Sequence, residues 1–253
     1  VGDEGGQDDR SDKSDRSGER DENDGMTTPH SLYSSPVTGA AGETAASQAF
    51  EAIKRDLIRG RFAAGEKLAI SALKSEYQIG LSPLREALNR LSAYGLLEQH
   101  NQRGFRVPPL SAQELEDIAG LRIQLECMAL TQAMQQGDAE WESQLLAAHH
   151  RLMRADQAPA ELEQWEQAHL RFHSTLLAPC GSHWLLRFIS QLHDQFDRYR
   201  RLAPPNPAIR AQLDAQHSEL VEMALERRIQ DARHLLEKHI QLSWQVAKGA
   251  TES

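Results

Sequence analysis

From Thr44 onward, apolar side chains recur at helical spacing. Ala49, Phe50, Ile53, Leu57 and Ile58 mark one face of a first helix, and Gly60 stands where a left-handed C-terminal cap is expected. Residues 61–68 read as a turn leading into a short strand. Ser71 is placed to N-cap a brief helix reaching Tyr77, and Ile79-Gly80 forms a tight turn. Leu81-Ser82-Pro83 opens a third helix, with Ser82 as N-cap and Pro83 at the first helical position. Leu84, Ala87, Leu88 and Leu91 supply its apolar face, and Gly95 ends it. Residues 96–100 and 105–107 then flank Asn101-Gln102-Arg103-Gly104 as two strands around a tight turn. Three short helices followed by a hairpin predict a winged helix-turn-helix over residues 44–108.

Beyond the stiff Pro108-Pro109 joint the pattern is helical throughout. Ser111-Ala112-Gln113-Glu114 reads as a capping box ahead of Leu115, Ile118, Leu121, Leu125 and Met128, and Gly137 closes that helix. Further helices are expected over about 139–154, 160–177, 184–202, from Pro207 to about 226, and 231–246. Short connections make this an antiparallel bundle over residues 109–248, so the chain is mainly α: a winged helix-turn-helix plus an all-α bundle. Residues 1–43 lack apolar spacing and read as a disordered acidic tail.

Charge sharpens this picture. The 253 residues carry a net charge of −9, unevenly spread: −6 over residues 1–25, +3 over 26–110 and −6 over 111–253. A basic winged segment between two acidic ones points to double-stranded DNA as partner. No run approaches the ~20 apolar residues of a membrane span. The two cysteines, Cys127 and Cys180, exclude a disulfide framework, so a soluble cytoplasmic protein is expected.

A helix-turn-helix turns the N-terminal residues of its second helix toward base edges, here Ser82, Leu84, Arg85 and, one turn on, Asn89. Arg85 is the candidate for a two-pronged guanine contact, and Arg90 for a phosphate or neighbouring base. Lys74 and Arg59 would neutralise phosphates, and Arg103, beside the flexible Gly104, would reach the minor groove. Taken singly, each is also readable as an ordinary solvated charge.

The bundle holds nine of the eleven histidines. His169 and His173 share one helix face, and His217 and His239 lie mid-helix on the last two helices, where facing helices build interior sites. Imidazoles without thiolates suit a divalent transition metal such as Zn²⁺, Ni²⁺ or Fe²⁺. The same four could equally be structural or exposed residues. Arg122 and Glu126 are one turn apart: on an exposed face they form a weak ion pair, and on an internal face Arg122 needs an anion that a bound carboxylate can supply. His149, His150, His183, His193 and His234 show no partner spacing and read as surface residues or residues behind a site. Arg198, Arg200 and Arg201 read as solvated or interface side chains.

Several runs carry a resemblance. Ile58-Arg59-Gly60, Ala64 where Pro is usual, Gly65-Glu66-Lys67-Leu68, Ser82 to Leu88, Arg90-Leu91, Gly95-Leu96-Leu97 and Gln102 to Val107 resemble the DNA-binding domain of the GntR superfamily. Leu121 to Glu126, Phe172-His173, His217 and His239 resemble the FCD ligand-binding domain of its FadR-type branch. The resemblance implies a homodimeric transcription regulator on an inverted-repeat operator, with a metal site (Zn or Ni) and a small organic acid bound beside it. In that branch the first metal ligand is usually Asp or Asn, where this chain has His169. The branch's Gly-Asn is Gly181-Ser182 here, which sets Ser182 with Arg122 and Glu126 among the implied effector contacts. The segments around 81–89 and 121–130 look most like the carbon-starvation-induced subgroup, which implies a short dicarboxylate. The expected function is therefore a repressor released from DNA by an organic acid. A metal-free regulator or an activator is the alternative. A His-coordinated metalloenzyme would lack a general base beside the histidines and leave the basic segment unexplained.

Overall fold

The computed structural model describes residues 44–100, 104–157 and 162–252. The tail at 1–43 and Arg103 lie outside the described residues.

The N-terminal part comprises α1 (Ala45–Ile58), β1 (Lys67–Leu68), α2 (Ile70–Glu76), α3 (Leu81–Ala93), β2 (Glu98–His100) and β3 (Gly104–Arg106). The strands form an antiparallel sheet in the order β1-β3-β2, with Lys67 opposite Arg106 and His100 opposite Gly104. Ile53 and Leu57 of α1, Leu73 of α2, and Leu84, Leu88 and Leu91 of α3 close one core with Leu96 and Phe105.

Two helix starts differ from the sequence expectation. Helix α3 begins two residues early: Gly80 is the N-cap, Ser82 makes no cap bond, and Pro83 sits third in the helix. The first-turn N–H groups have no intrahelical acceptor in any case, so proline is tolerated there as well as at the first position. Helix α2 likewise starts at Ile70 with Ala69 before it, not at Ser71. A side-chain cap contributes only about 1 kcal/mol, so α2 forms around buried Leu73 without one.

The C-terminal part comprises α4 (Ala112–Gln136), α5 (Ala139–Gln157), α6 (Leu162–Leu177), α7 (His183–Leu202), α8 (Pro207–Leu225) and α9 (Ile229–Lys248). Helix α4 packs against both α7 and α9, α5 against α6, and α8 against α9. Ser111 caps α4 by accepting from the Glu114 N–H, as a capping box requires. The return half is diverted: the Glu114 carboxylate pairs with the Tyr199 hydroxyl of α7, and the Ser111 N–H donates to that same hydroxyl.

Helix α7 also docks the winged helix. Asp194 accepts from Lys54 Nζ of α1 at 3.1 Å and from the Tyr94 hydroxyl at 2.8 Å. Gln191 and Gln195 both donate to the Tyr94 carbonyl, and Arg198 donates to the Pro108 carbonyl. Gly95 lets this contact close. Its φ is +86°, and a Cβ there would lie 3.0 Å from Gln195 Nε2. Gly95→Ala is therefore expected to destabilise the protein by about 1–2 kcal/mol, read as a lower denaturant midpoint with unchanged slope.

Candidate functional site

On the winged helix, burial divides α3 cleanly. Ser82, Arg85, Glu86, Asn89 and Arg90 are exposed, as is Lys74 on α2. Gly104 opens β3 with φ +87°. Leu84 corrects the sequence reading: it is wholly buried beside Leu88 and Leu91 and does not reach DNA. The helical period assigns residue 84 to the core face, and that face alone decides its place. Leu81, by contrast, is 48% exposed at the start of α3, next to Ser82 and Arg85. Arg90 is exposed yet anchored, its guanidinium 4.5 Å from the Phe50 ring centre and donating to Ser47. Arg59 reaches across to Glu163 of α6 at 3.0 Å. It thus has an acidic partner in the bundle, where the sequence reading has only phosphate.

Inside the bundle the four histidines converge. His169 and His173 come from α6, His217 from α8 and His239 from α9, and one donor nitrogen from each lies within 4.8 Å of the others. His173, His217 and His239 are buried and His169 partly so. His169 Nε2 and His173 Nε2 are 3.1 Å apart. Two nitrogens bound to one Zn²⁺ at about 2.0–2.1 Å would be separated by about 3.0–3.4 Å. Both nitrogens of His217, and Nδ1 of His173, are buried without a hydrogen-bond partner. His239 Nδ1 contacts Gln216 Oε1 at 3.1 Å, which leaves Nε2 toward the cluster.

Burial, reinforced by the neighbouring imidazoles, holds the pKa values of His169, His173 and His217 well below the ordinary histidine value. Burial and then the Arg122 guanidinium push His239 down to about 4. Four neutral imidazoles, two of them with orphaned nitrogens, are the protonation state and donor set that a divalent transition ion takes. The residues present fit such a group.

A small cleft opens beside the cluster, lined by Arg122, His193, Phe196, Asp197, Arg200 and Ser243 together with three of the histidines. Arg122 is internal, which settles the choice between an exposed and a buried pair. Its Nε donates to Glu126 Oε1 at 2.7 Å, and His193 Nε2 contacts the same oxygen at 2.8 Å. Burial alone would raise the Glu126 carboxyl, but Arg122 and then His193 outweigh it and hold it at about 2. Arg200 donates to Glu166 and, through Nε, to Asp197 at 3.0 Å.

Sequence spacing missed His193, Asp197, Arg200 and Ser243. The first three lie on α7 at i, i+4 and i+7, a signal that becomes readable only once α7 is known to face α4. His193 and Arg200 are thus cleft residues and not surface ones, and Arg198 is buried at the winged-helix contact. Ser182 also departs from expectation. It caps α7 by accepting from the Leu185 N–H and does not line the cleft, because a loop residue immediately before a helix is taken up by the helix end.

Among the described residues, no helix is long and apolar enough to cross a membrane. Residues 117–242 match the FCD domain, and residues 45–107 match the bacterial regulatory proteins of the gntR family. The chain is 39% identical over 219 residues to the uncharacterized HTH-type transcriptional regulator BphR of Paraburkholderia xenovorans (strain LB400), spanning 85% of this chain and 89% of that protein. It is 37% identical over 195 residues to the HTH-type transcriptional repressor GlaR of Escherichia coli (strain K12), spanning 74% and 89%. Among solved structures, E. coli McbR/YncC superposes with a TM-score of 0.73 over 82% of this chain and 98% of that one, at 22% identity, which shows a common fold. Two matched domains in this order, on a winged helix joined to a helical bundle, mean that the chain belongs to the GntR family of bacterial transcription regulators, in the branch that carries an FCD domain.

Proposed function

We propose that this regulator is a repressor, released from its operator by a small organic acid, and that a divalent transition metal in the four-histidine cluster, Zn²⁺ or Ni²⁺, is part of the effector site. Residues 44–108 form the DNA-binding unit and 109–248 the effector- and metal-binding unit. Two copies present their α3 helices to successive half-sites of an inverted repeat. Arg85 reads a base edge, with Ser82 and Asn89 beside it. Lys74 and Arg90 meet phosphates, Arg59 does so only by leaving Glu163, and Arg103 and Gly104 belong to the wing.

The observation that carries this reading is the two-faced character of α7. Its His193, Phe196, Asp197 and Arg200 line the cleft, while Gln191, Asp194, Gln195 and Arg198 hold the winged helix. A ligand alters DNA affinity only through its different affinities for two arrangements of the domains, and α7 touches both sites. A metal in the histidine cluster supplies an electron-pair acceptor for a carboxylate oxygen. Arg122, oriented by Glu126 and His193, supplies a cation for a second carboxylate, so the two groups together suit the two ends of a short dicarboxylate. GlaR, a relative of 37% identity, carries the name of a repressor.

Three measurements test this. Arg85→Ala is expected to weaken operator binding by about 1–3 kcal/mol in gel shifts at fixed salt; unchanged affinity would remove Arg85 from the interface. Titrating short dicarboxylic acids into the metal-loaded protein–operator complex is expected to release DNA. Arg122→Lys, which keeps the charge but not the planar fork, should raise the half-maximal acid concentration about tenfold or more while leaving ligand-free operator binding intact. An unchanged acid response refutes the carboxylate clamp, and absence of bound metal or of affinity for added Zn²⁺ and Ni²⁺ leaves only a histidine-lined effector cavity.

The third measurement is pH dependence. The depressed histidine pKa values mean that the unfolded chain binds more protons below about pH 6.5 than the native one does. Stability of the metal-free protein is therefore full above that pH and lost as pH falls toward 4. The slope reaches about 1.4 kcal/mol per pH unit for each histidine. Denaturant unfolding between pH 7.5 and 5 reads it, and a flat profile would contradict neutral burial.

A further inference from the structure

His169 is the least buried of the four histidines. Among the described residues, no carboxylate or carbonyl oxygen pairs with its ring, in contrast to Gln216 on His239. Something else fixes its plane. One turn earlier on α6, the Trp165 indole stacks on the His169 imidazole, with ring centres 4.6 Å apart and planes 18° from parallel.

Trp165 is itself held on three sides. The Arg210 guanidinium of α8 lies 3.8 Å from its ring centre. The Arg200 guanidinium lies 5.4 Å from that ring centre, so the indole packs against His169 and two arginines. Its N–H donates to Asp156 of α5, which also accepts from Arg210 at 3.1 Å. The indole is buried, at 7% exposure, so α5, α6 and α8 together set its position.

An indole face is electron-rich, and an imidazole that has given its lone pair to a cation is electron-poor. Their attraction therefore strengthens when the imidazole is ligated. Hydrogen-bonded partners of metal-bound histidines orient the ring and raise affinity by about 10–100-fold. A rigid stack can do the orienting part of that work without an oxygen acceptor.

We propose that Trp165 is the positioning residue for His169: clamped by Arg210 and Asp156, it presents the imidazole to the cluster and so allows a histidine to act as the fourth ligand. This rests on the histidine cluster being a metal site. The full-length protein is stripped with a chelator and titrated with Zn²⁺, and with Co²⁺ as a spectroscopic probe. Trp165→Leu is expected to bind Zn²⁺ about 10–100-fold more weakly and to change the visible Co²⁺ bands as His169→Ala does, with Trp165→Phe recovering most of the affinity because it retains an aromatic face. Metal-dependent tryptophan fluorescence should be large in the parent and largely lost in Trp165→Phe.

Parent-like affinity and Co²⁺ bands in Trp165→Leu overturn the positioning role and leave the metal site standing. If Trp165→Leu does not fold, undiminished metal-dependent fluorescence in Trp165→Phe overturns it instead. Failure of the parent itself to bind either ion overturns the metal reading, and with it this one.

Discussion

Burying four imidazoles, a guanidinium and a carboxylate within a helical bundle is the constraint from which the rest of this structure follows. Each buried polar atom left unpaired costs about 1–3 kcal/mol, and Glu126 Oε2, His173 Nδ1 and both nitrogens of His217 are in that position. Apolar packing by Leu130, Phe172, Leu176, Leu220 and Leu236 surrounds them and holds them in place despite the cost. Desolvation also sets the chemistry. It keeps the imidazoles neutral and therefore able to donate electron pairs, whereas Glu126 stays ionised only because Arg122 and His193 lie against it.

The consequence for the molecule is a division of labour between neighbouring helices. Helices α6, α8 and α9 bring the histidines, α4 brings Arg122 and Glu126, and α7 closes the cleft while turning its other side to the winged helix. Polar groups position the winged helix: Lys54, Tyr94 and the Pro108 carbonyl each meet a named partner on α7. Polar contacts of this kind are directional, so they fix an orientation and weaken sharply when it changes.

Much of this was legible in the sequence because its punctuation is strong. Gly60, Gly95 and Gly181 all adopt positive φ where helices end or turns begin, and Asn206-Pro207 starts α8 with a capped, proline-containing first turn. The histidine set was legible because i, i+4 spacing on one helix and mid-helix positions on two others survive any reasonable packing of a bundle. What escaped was whatever depends on which side of a helix meets which neighbour. Helix α7 is polar on both of its working faces, so residue type does not distinguish cleft-lining His193 and Arg200 from solvated ones. Glu114 shows the same limit on a smaller scale. Its local pattern is that of a capping box, but Tyr199, 85 residues away in sequence, captures its carboxylate.

Helix α7 runs 20 residues from His183 to Leu202, with no proline or glycine within it to absorb a bend. A roll of about 10° around its axis carries side-chain atoms at about 5 Å radius through about 1 Å. That displacement is enough to stretch the 2.9 Å and 3.0 Å bonds from Gln195 and Gln191 to the Tyr94 carbonyl past useful length. In the proposed regulator, an adjustment of that size beside the histidines would therefore be felt at the grip on the winged helix, with no hinge required between them.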